Sequence, residues 1–288
     1  MIDAWGLAAI GAKFLLYLGV LVSGGLVLCR QMFAEQMQCI DRFTRTCVMA
    51  FATLGLAMAV IGFLLRGAVL LGDIAGMIDV PILLLLWETP PGDALMLRVL
   101  GLSAVLLGSY LGGQWLWVAV LGTAVAIWSF CAIGHVAIEE LFWLQVVLFL
   151  HLFTAAFWIG VLPPLLRLSR SHERLVSAAG LGHRFGQVAV VSVPVLLLAG
   201  VIMTWQLVGS ISAMFETSYG LTLLAKTAAV VVLLTLGAIN KTRLVPSLQR
   251  GDEKAGPHLA RSISLEWVCI GVILLATAVF TSILTVPS

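Results

Sequence analysis

Eight apolar runs, each bounded by charge, glycine or proline, make up most of the chain: 5–29, 43–65, 94–111, 115–131, 141–168, 185–208, 221–244 and 263–284. A helix needs roughly 20 predominantly apolar residues to cross a hydrocarbon core about 30 Å thick. The runs therefore predict an all-α, polytopic membrane protein of about eight transmembrane helices, forming one domain over 1–288. The third and fourth runs are short and separated only by Gly112-Gly113-Gln114, which forces an antiparallel helical hairpin. Composition agrees: 61% of residues are hydrophobic and 10% are charged, against about 25% charged in soluble domains. So few charges cannot cover a water-facing surface, which excludes a soluble globular enzyme. Disorder is excluded because apolar residues dominate.

Between the second and third runs, 67–93 holds Asp73, Asp79, Glu88 and Asp93 around the apolar piece 80–87, which is too short to cross. It predicts an interfacial or re-entrant helix stopped at Thr89-Pro90-Pro91-Gly92. The first run has no basic segment before it and no convincing small-residue cleavage site, so it is expected to be a retained span. The net charge of +2 is spread between spans, which argues against a nucleic-acid partner. Cys29, Cys39, Cys47, Cys131 and Cys269 show neither a disulfide framework nor close zinc-type pairs. The sequence has no internal repeat.

Ionisable groups inside a span are expensive in lipid and mark candidate sites. His151 lies about ten residues into the fifth run, and helical offsets place Glu140, Val147, His151 and Trp158 on one stripe. The stripe suggests a polar path facing the bundle interior; the alternative is a buried His hydrogen-bonded to a neighbouring helix. Cys131 and His135 are four apart, so a persisting helix would point both to one side, a ligand pair suited to Cu(I) or Zn. Glu139, Glu140, Met77, Met96 and Met214 are expected near that face, and Met203 in the outer third of the sixth span. The alternative is that Met serves packing and that the Cys-x3-His spacing is fortuitous. Lys226 is expected to snorkel to the outer surface, the alternative being a pair with an acid, and Glu266 and Arg184 to form a structural interhelical pair. Cys29, Met32, Met37 and Cys39 form a loose soft-ligand group at the first inner loop. His172, His183 and His258 are read as surface residues at the inner side.

The segment HLFTAAFWIG, from His151 to Gly160, resembles the hallmark of the bacterial CopD copper-resistance membrane proteins. Gly134-His135, Arg184-Phe185, Tyr219-Gly220 with Leu223-Leu224 and Lys226, Asn240, Glu266 and Pro287 match in order, so the resemblance is strongest over 134–287. Val161 departs from it, since many relatives carry a second Gly there. The resemblance implies copper, Cu(I) or Cu(II), carried across the inner membrane from periplasm to cytoplasm, beside a periplasmic copper-binding partner of the CopC type. His151, His135, Cys131, Glu140 and Met203 are the metal-ligand candidates, and Trp158 lines the path. No phosphate-binding loop is present to drive transport by ATP, and the protein is not expected to be an enzyme. Other readings are a haem-b or redox membrane protein, since His is a common axial ligand, or a copper sensor or assembly partner that does not conduct.

Orientation follows from the basic residues. With the amino terminus outside, inner connections take Arg30, Arg42, Arg45, Arg167, Arg170, Arg174, Arg184, Lys241, Arg243, Arg250, Lys254 and Arg261, which is 12 of the 16 Lys and Arg. Lys13, Arg66, Arg98 and Lys226 stay on or near the outer side. Positive charge is retained on the cytoplasmic side, so both termini are expected to be periplasmic. Reporter fusions after Arg174 and after Arg250 are expected to read cytoplasmic, and a periplasmic signal at either would overturn this topology.

Overall fold

The structure is a computed structural model and describes residues 4–133, 141–208 and 218–283. Every regular element among them is helical. The long helices are α1 (Ala4–Met32), α3 (Asp41–Leu71), α5 (Pro90–Leu111), α7 (Phe142–Ser169), α8 (Leu175–Val208), α9 (Ser218–Ile239) and α11 (Ala255–Ile283). Shorter ones are α2 (Ala34–Met37), α4 (Val80–Trp87), α6 (Leu116–Trp128) and α10 (Val245–Gln249), which a π-helical turn, Asn240–Leu244, joins to α9. Among the described residues seven helical segments are long and apolar enough to cross a membrane, and the eighth apolar run is the shorter helical stretch Gly113–Trp128.

Several helices outrun their apolar segments. α8 begins ten residues before the apolar run does, and α11 eight residues before. A helix continues past the lipid boundary as long as its backbone bonds are made and nothing breaks it, so polarity marks the membrane edge and not the helix end. The predicted short helix is present as α4. Asp79 caps it, its carboxylate accepting from the Ile82 amide at 3.0 Å. Pro90 and Pro91 open α5 instead of merely stopping α4, because the first helical turn needs no amide donor.

α1 is the hub, packing against α3, α5, α6, α7 and α11, and every residue from Gly19 to Cys29 is buried. Helices in lipid gain no hydrophobic drive from meeting each other, so small residues that let backbones approach decide where they pack. Gly19 faces Gly55 of α3, Gly24 faces Thr123 of α6, and Gly25 faces Ala156 and Gly160 of α7. At the last crossing a Cβ on Gly160 would lie 2.0 Å from the Gly25 carbonyl carbon. Val161, the departure from the family pattern, is fully buried beside it.

The connections rich in Lys and Arg meet at one end of the bundle. There Arg30 pairs with Asp41 at 2.7 Å, His172 with Glu253 at 2.7 Å, and the Arg167 guanidinium lies 5.6 Å from the Phe43 ring centre. At the opposite end the Lys13 ammonium donates to the Thr281 carbonyl at 3.0 Å, tying the start of α1 to the end of α11.

Gly160→Val is expected to destabilise the protein by about 1–3 kcal/mol through overpacking at the α1–α7 crossing. Gly11→Val, where a Cβ meets nothing within 4 Å, is expected to be near neutral. Thermal unfolding of both variants in detergent checks the contrast.

Candidate functional site

The Gly160 contact with α1 sets the rotation of α7. At about 100° per residue, Trp158 and His151 fall on the face away from α1, within about 20° of each other. They look into the space shared by α8, α9 and α11. His151 is half-buried, and its Nδ1 lies 3.0 Å from the Leu196 carbonyl oxygen of α8. Gly200, one turn further along α8, leaves that carbonyl uncovered; a Cβ there would sit 3.4 Å from His151 Cε1. A carbonyl only accepts, so Nδ1 carries the proton and Nε2 keeps its lone pair. The reading of His151 as a histidine hydrogen-bonded to a neighbouring helix is thus met at Nδ1.

Two turns along the same face, Trp158 is buried. Its Nε1–H donates to Glu266 Oε2 of α11 at 3.0 Å. Glu266 Oε1 accepts from Asn240 Nδ2 at 2.6 Å. Gly237 makes room for the indole, since a Cβ there would lie 2.7 Å from Trp158 Cζ2. Phe185 of α8 stacks edge-on against the indole with ring centres 6.3 Å apart. Asn240 opens the π-helical turn. Pro246, six residues on, lacks an amide hydrogen and crowds the carbonyl a turn before it, and the wider π turn relieves that conflict. On α7 itself, Pro163 and Pro164 leave the Ile159 and Gly160 carbonyls without their usual helical donors.

The expected Glu266–Arg184 pair does not form: Arg184 is exposed and Glu266 faces Trp158 and Asn240. Turning the carboxylate inward to two neutral donors avoids carrying a guanidinium into the core. Lys226 is partly buried on α9. Met203 lies on α8 seven residues after Leu196, on the stripe that carries the His151 contact, and is partly buried. Lys13, Arg66 and Arg98, which the charge count sets on or near the outer side, lie on α1, α3 and α5. Arg98 is buried, donating to Ser129 Oγ at 3.2 Å.

Cys131 is fully buried. α6 ends at Trp128, and the Cys131 amide bonds the Trp128 carbonyl three residues back, so the continuous helix needed to align Cys131 with His135 stops before it. Binding a metal at Cys131 means releasing the thiol proton. His135, Glu139, Glu140 and Met214 lie outside the described residues. The soft group at the first inner loop is dispersed: Cys29 donates to the Phe157 carbonyl, Cys39 to Ser177 Oγ, Met37 is buried and Met32 is exposed. No group of three or more His, Cys, Asp or Glu suited to a metal occurs among the described residues. The sequence reading missed the Trp158–Glu266–Asn240 cluster as a unit, although all three residues had been singled out in it.

Comparison with known proteins points to copper handling. The family described as copper resistance protein D matches residues 179–280, and the one described as copper resistance protein D-like, N-terminal domain, matches residues 1–141. Asn240 and Glu266 lie inside the first of these segments, whereas His151 and Trp158 lie between the two. The copper transport protein CutJ of Bacillus subtilis (strain 168) is 31% identical over 158 residues, 54% of this chain and 28% of that protein. Copper resistance protein D of Pseudomonas syringae pv. tomato is 28% identical over 235 residues, 76% of each chain. This chain thus spans under a third of the first relative's length. No solved structure matches it.

Trp158→Phe keeps the ring in place but leaves Glu266 Oε2 without its donor. A loss of about 1–3 kcal/mol is expected in unfolding free energy. Much of that penalty should vanish in a Glu266→Leu background, and additive losses in the double-mutant cycle would show that the two side chains are not coupled.

Proposed function

This chain belongs to the copper resistance protein D family, and on that premise we propose that it moves copper across the bacterial inner membrane, from the periplasm toward the cytoplasm. The path runs along the face of α7 that looks toward α8, α9 and α11, with His151 as its mid-membrane station. The observation that carries this reading is the half-buried His151 imidazole, anchored through Nδ1 to Leu196 and left, when neutral, with a lone pair on Nε2. Imidazole is a borderline ligand that suits copper in either oxidation state.

A conducting site must bind well enough to admit its ion and weakly enough to release it. First contact at the periplasmic mouth, where a CopC-type protein delivers copper, falls to His135 and Glu140; the Cys131 thiol is buried and takes no part in it. Met203 supplies a soft thioether on the α8 stripe between mouth and station. Both termini are periplasmic in this arrangement, and the basic end of the bundle faces the cytoplasm. The protein acts as a permease and not as an enzyme.

A haem reading has less support from the side chains. The described histidines other than His151 lie in or near the basic end, with His172 on Glu253 and His183 beside Gln187, so a bis-His haem has no second ligand among them.

His151→Leu is expected to fold and insert but to abolish copper flux into proteoliposomes. His151→Gln keeps a donor for the Leu196 carbonyl without good copper affinity, so it too should lose flux. A Gln variant that transports at the original rate would make His151 a packing and hydrogen-bonding residue. A Soret absorption in the purified wild-type protein that is lost in both variants would replace the copper path by a haem site.

A further inference from the structure

Glu266 is a carboxylate with 2% exposure in the middle of a helix bundle, and such a group is a candidate functional site by default. The ion pairs found among the described residues are Arg30–Asp41 and His172–Glu253, so no cation neutralises Glu266 there. Its polar neighbours are Trp158 and Asn240. The charged and titratable groups on the elements packed against α11 are engaged elsewhere. On α1, Lys13 and Tyr17 meet Thr281, Cys29 meets the Phe157 carbonyl, and Arg30 meets Asp41. On α7, His151 turns to Leu196 and Arg167 to Phe43; on α9, Lys226 is partly buried. Lys241 and Arg243 of the π turn are exposed, and α10 has no titratable group. On α11 itself, His258 and Arg261 are exposed, and Cys269 is partly buried one turn from Glu266.

Asn240 is 7% exposed, and its Oδ1 has no hydrogen-bond partner. A primary amide donates from one end and accepts at the other. With Nδ2 toward Glu266 it satisfies a carboxylate; turned by half a rotation it presents Oδ1 to the O–H of a carboxylic acid. The 2.6 Å separation is below the ordinary N–H···O range and inside the O–H···O range. The two ends of a primary amide are nearly equal in size and differ in donating or accepting, so the pair accommodates either protonation state without moving a helix.

We propose that Glu266 is a proton-binding site in the bundle interior, with Asn240 as the partner that satisfies it in both protonation states, and that proton uptake and release there accompany copper movement. On protonation Glu266 becomes a carboxylic acid, its O–H donates to Asn240 Oδ1, and the Trp158 Nε1–H bond to Oε2 persists. On release the proton leaves and the amide turns its Nδ2 back. Copper(I) is not the ligand, because one carboxylate and one amide are hard donors. Calcium and magnesium are not the ligands either, since they need about six oxygens. The π turn leads from buried Asn240 to exposed Lys241 and Arg243, a short route to the basic end. Seven residues of α7, about 10 Å, separate His151 from Trp158, which places the proton site next to the proposed metal station. The coupling rests on the transport reading; the proton site does not.

Infrared difference spectra of the purified full chain, stepped in pH, are expected to show a carboxylic-acid C=O band that shifts in D2O and is lost in Glu266→Gln. Asn240→Ala is expected to shift the same band, an assignment that does not depend on the yield of the Gln variant. In proteoliposomes, an imposed pH gradient is expected to change the initial copper flux of the wild type, with that response lost in Glu266→Gln. Absence of a band that titrates and responds to both substitutions would overturn the proton site. A band with wild-type copper flux indifferent to the gradient would overturn the coupling. A band with no wild-type copper flux at all would leave the proton site standing and remove the transport reading together with the coupling.

Discussion

The backbone-to-backbone crossing of α1 and α7 at Gly25 and Gly160 is the constraint on which the functional half of the molecule depends. Contact this close requires both positions to lack a side chain, and it fixes α7 in rotation as well as in place. Once Gly160 faces α1, helical periodicity commits His151 and Trp158 to the opposite face. The polar groups of α7 thus meet α8, α9 and α11 instead of lipid. The segment from His151 to Gly160 has a dual character for this reason: its glycine is the fastener, and its histidine and tryptophan are what the fastener aims.

The polar groups so aimed are few, and each is held by a neighbour that offers what it lacks. Leu196 supplies a carbonyl that Gly200 leaves open to the imidazole. Trp158 and Asn240 supply donors to the two oxygens of Glu266. In a medium where an unpaired polar group costs several kcal/mol, this economy limits where a helix can deviate. The π turn opens at Asn240, which is buried in protein beside these groups, and Pro164 of α7 is buried as well. Irregular backbone is tolerated at membrane depth under that condition.

The architecture was legible in the sequence because span length is set by the bilayer: α1, α3, α5, α7, α8, α9 and α11 each contain or largely overlap an apolar run, and the pause at Gly112-Gly113 is the α5–α6 turn. Helix ends were less legible where amphipathic turns continue into water, as in α8 and α11. At the site, the periodicity of a single helix was enough to align His151 with Trp158. Partners across helices were not legible, since periodicity says nothing of which helix packs alongside. Glu266 was accordingly matched to Arg184, the nearest opposite charge by depth, when its partners are neutral. The reach from Cys131 to His135 assumed a helix that ends at Trp128.

The shortness of α6 carries a consequence for the lipid. Its 13 residues extend about 20 Å, whereas the hydrocarbon core is about 30 Å thick. Leu121 and Trp117 on its outward side are exposed, so acyl chains lie directly against this low wall, and Trp115 and Tyr110 mark the interface beside the turn. Lipids at this flank must thin or tilt to avoid baring polar backbone, at a fraction of a kcal/mol for each ångström of mismatch. The elastic state of the surrounding bilayer thereby becomes a force on the α5–α6 hairpin. Because α6 touches Gly24 of α1 through Thr123, one residue from the crossing that aims His151, membrane thickness has a mechanical line to the interior of the bundle.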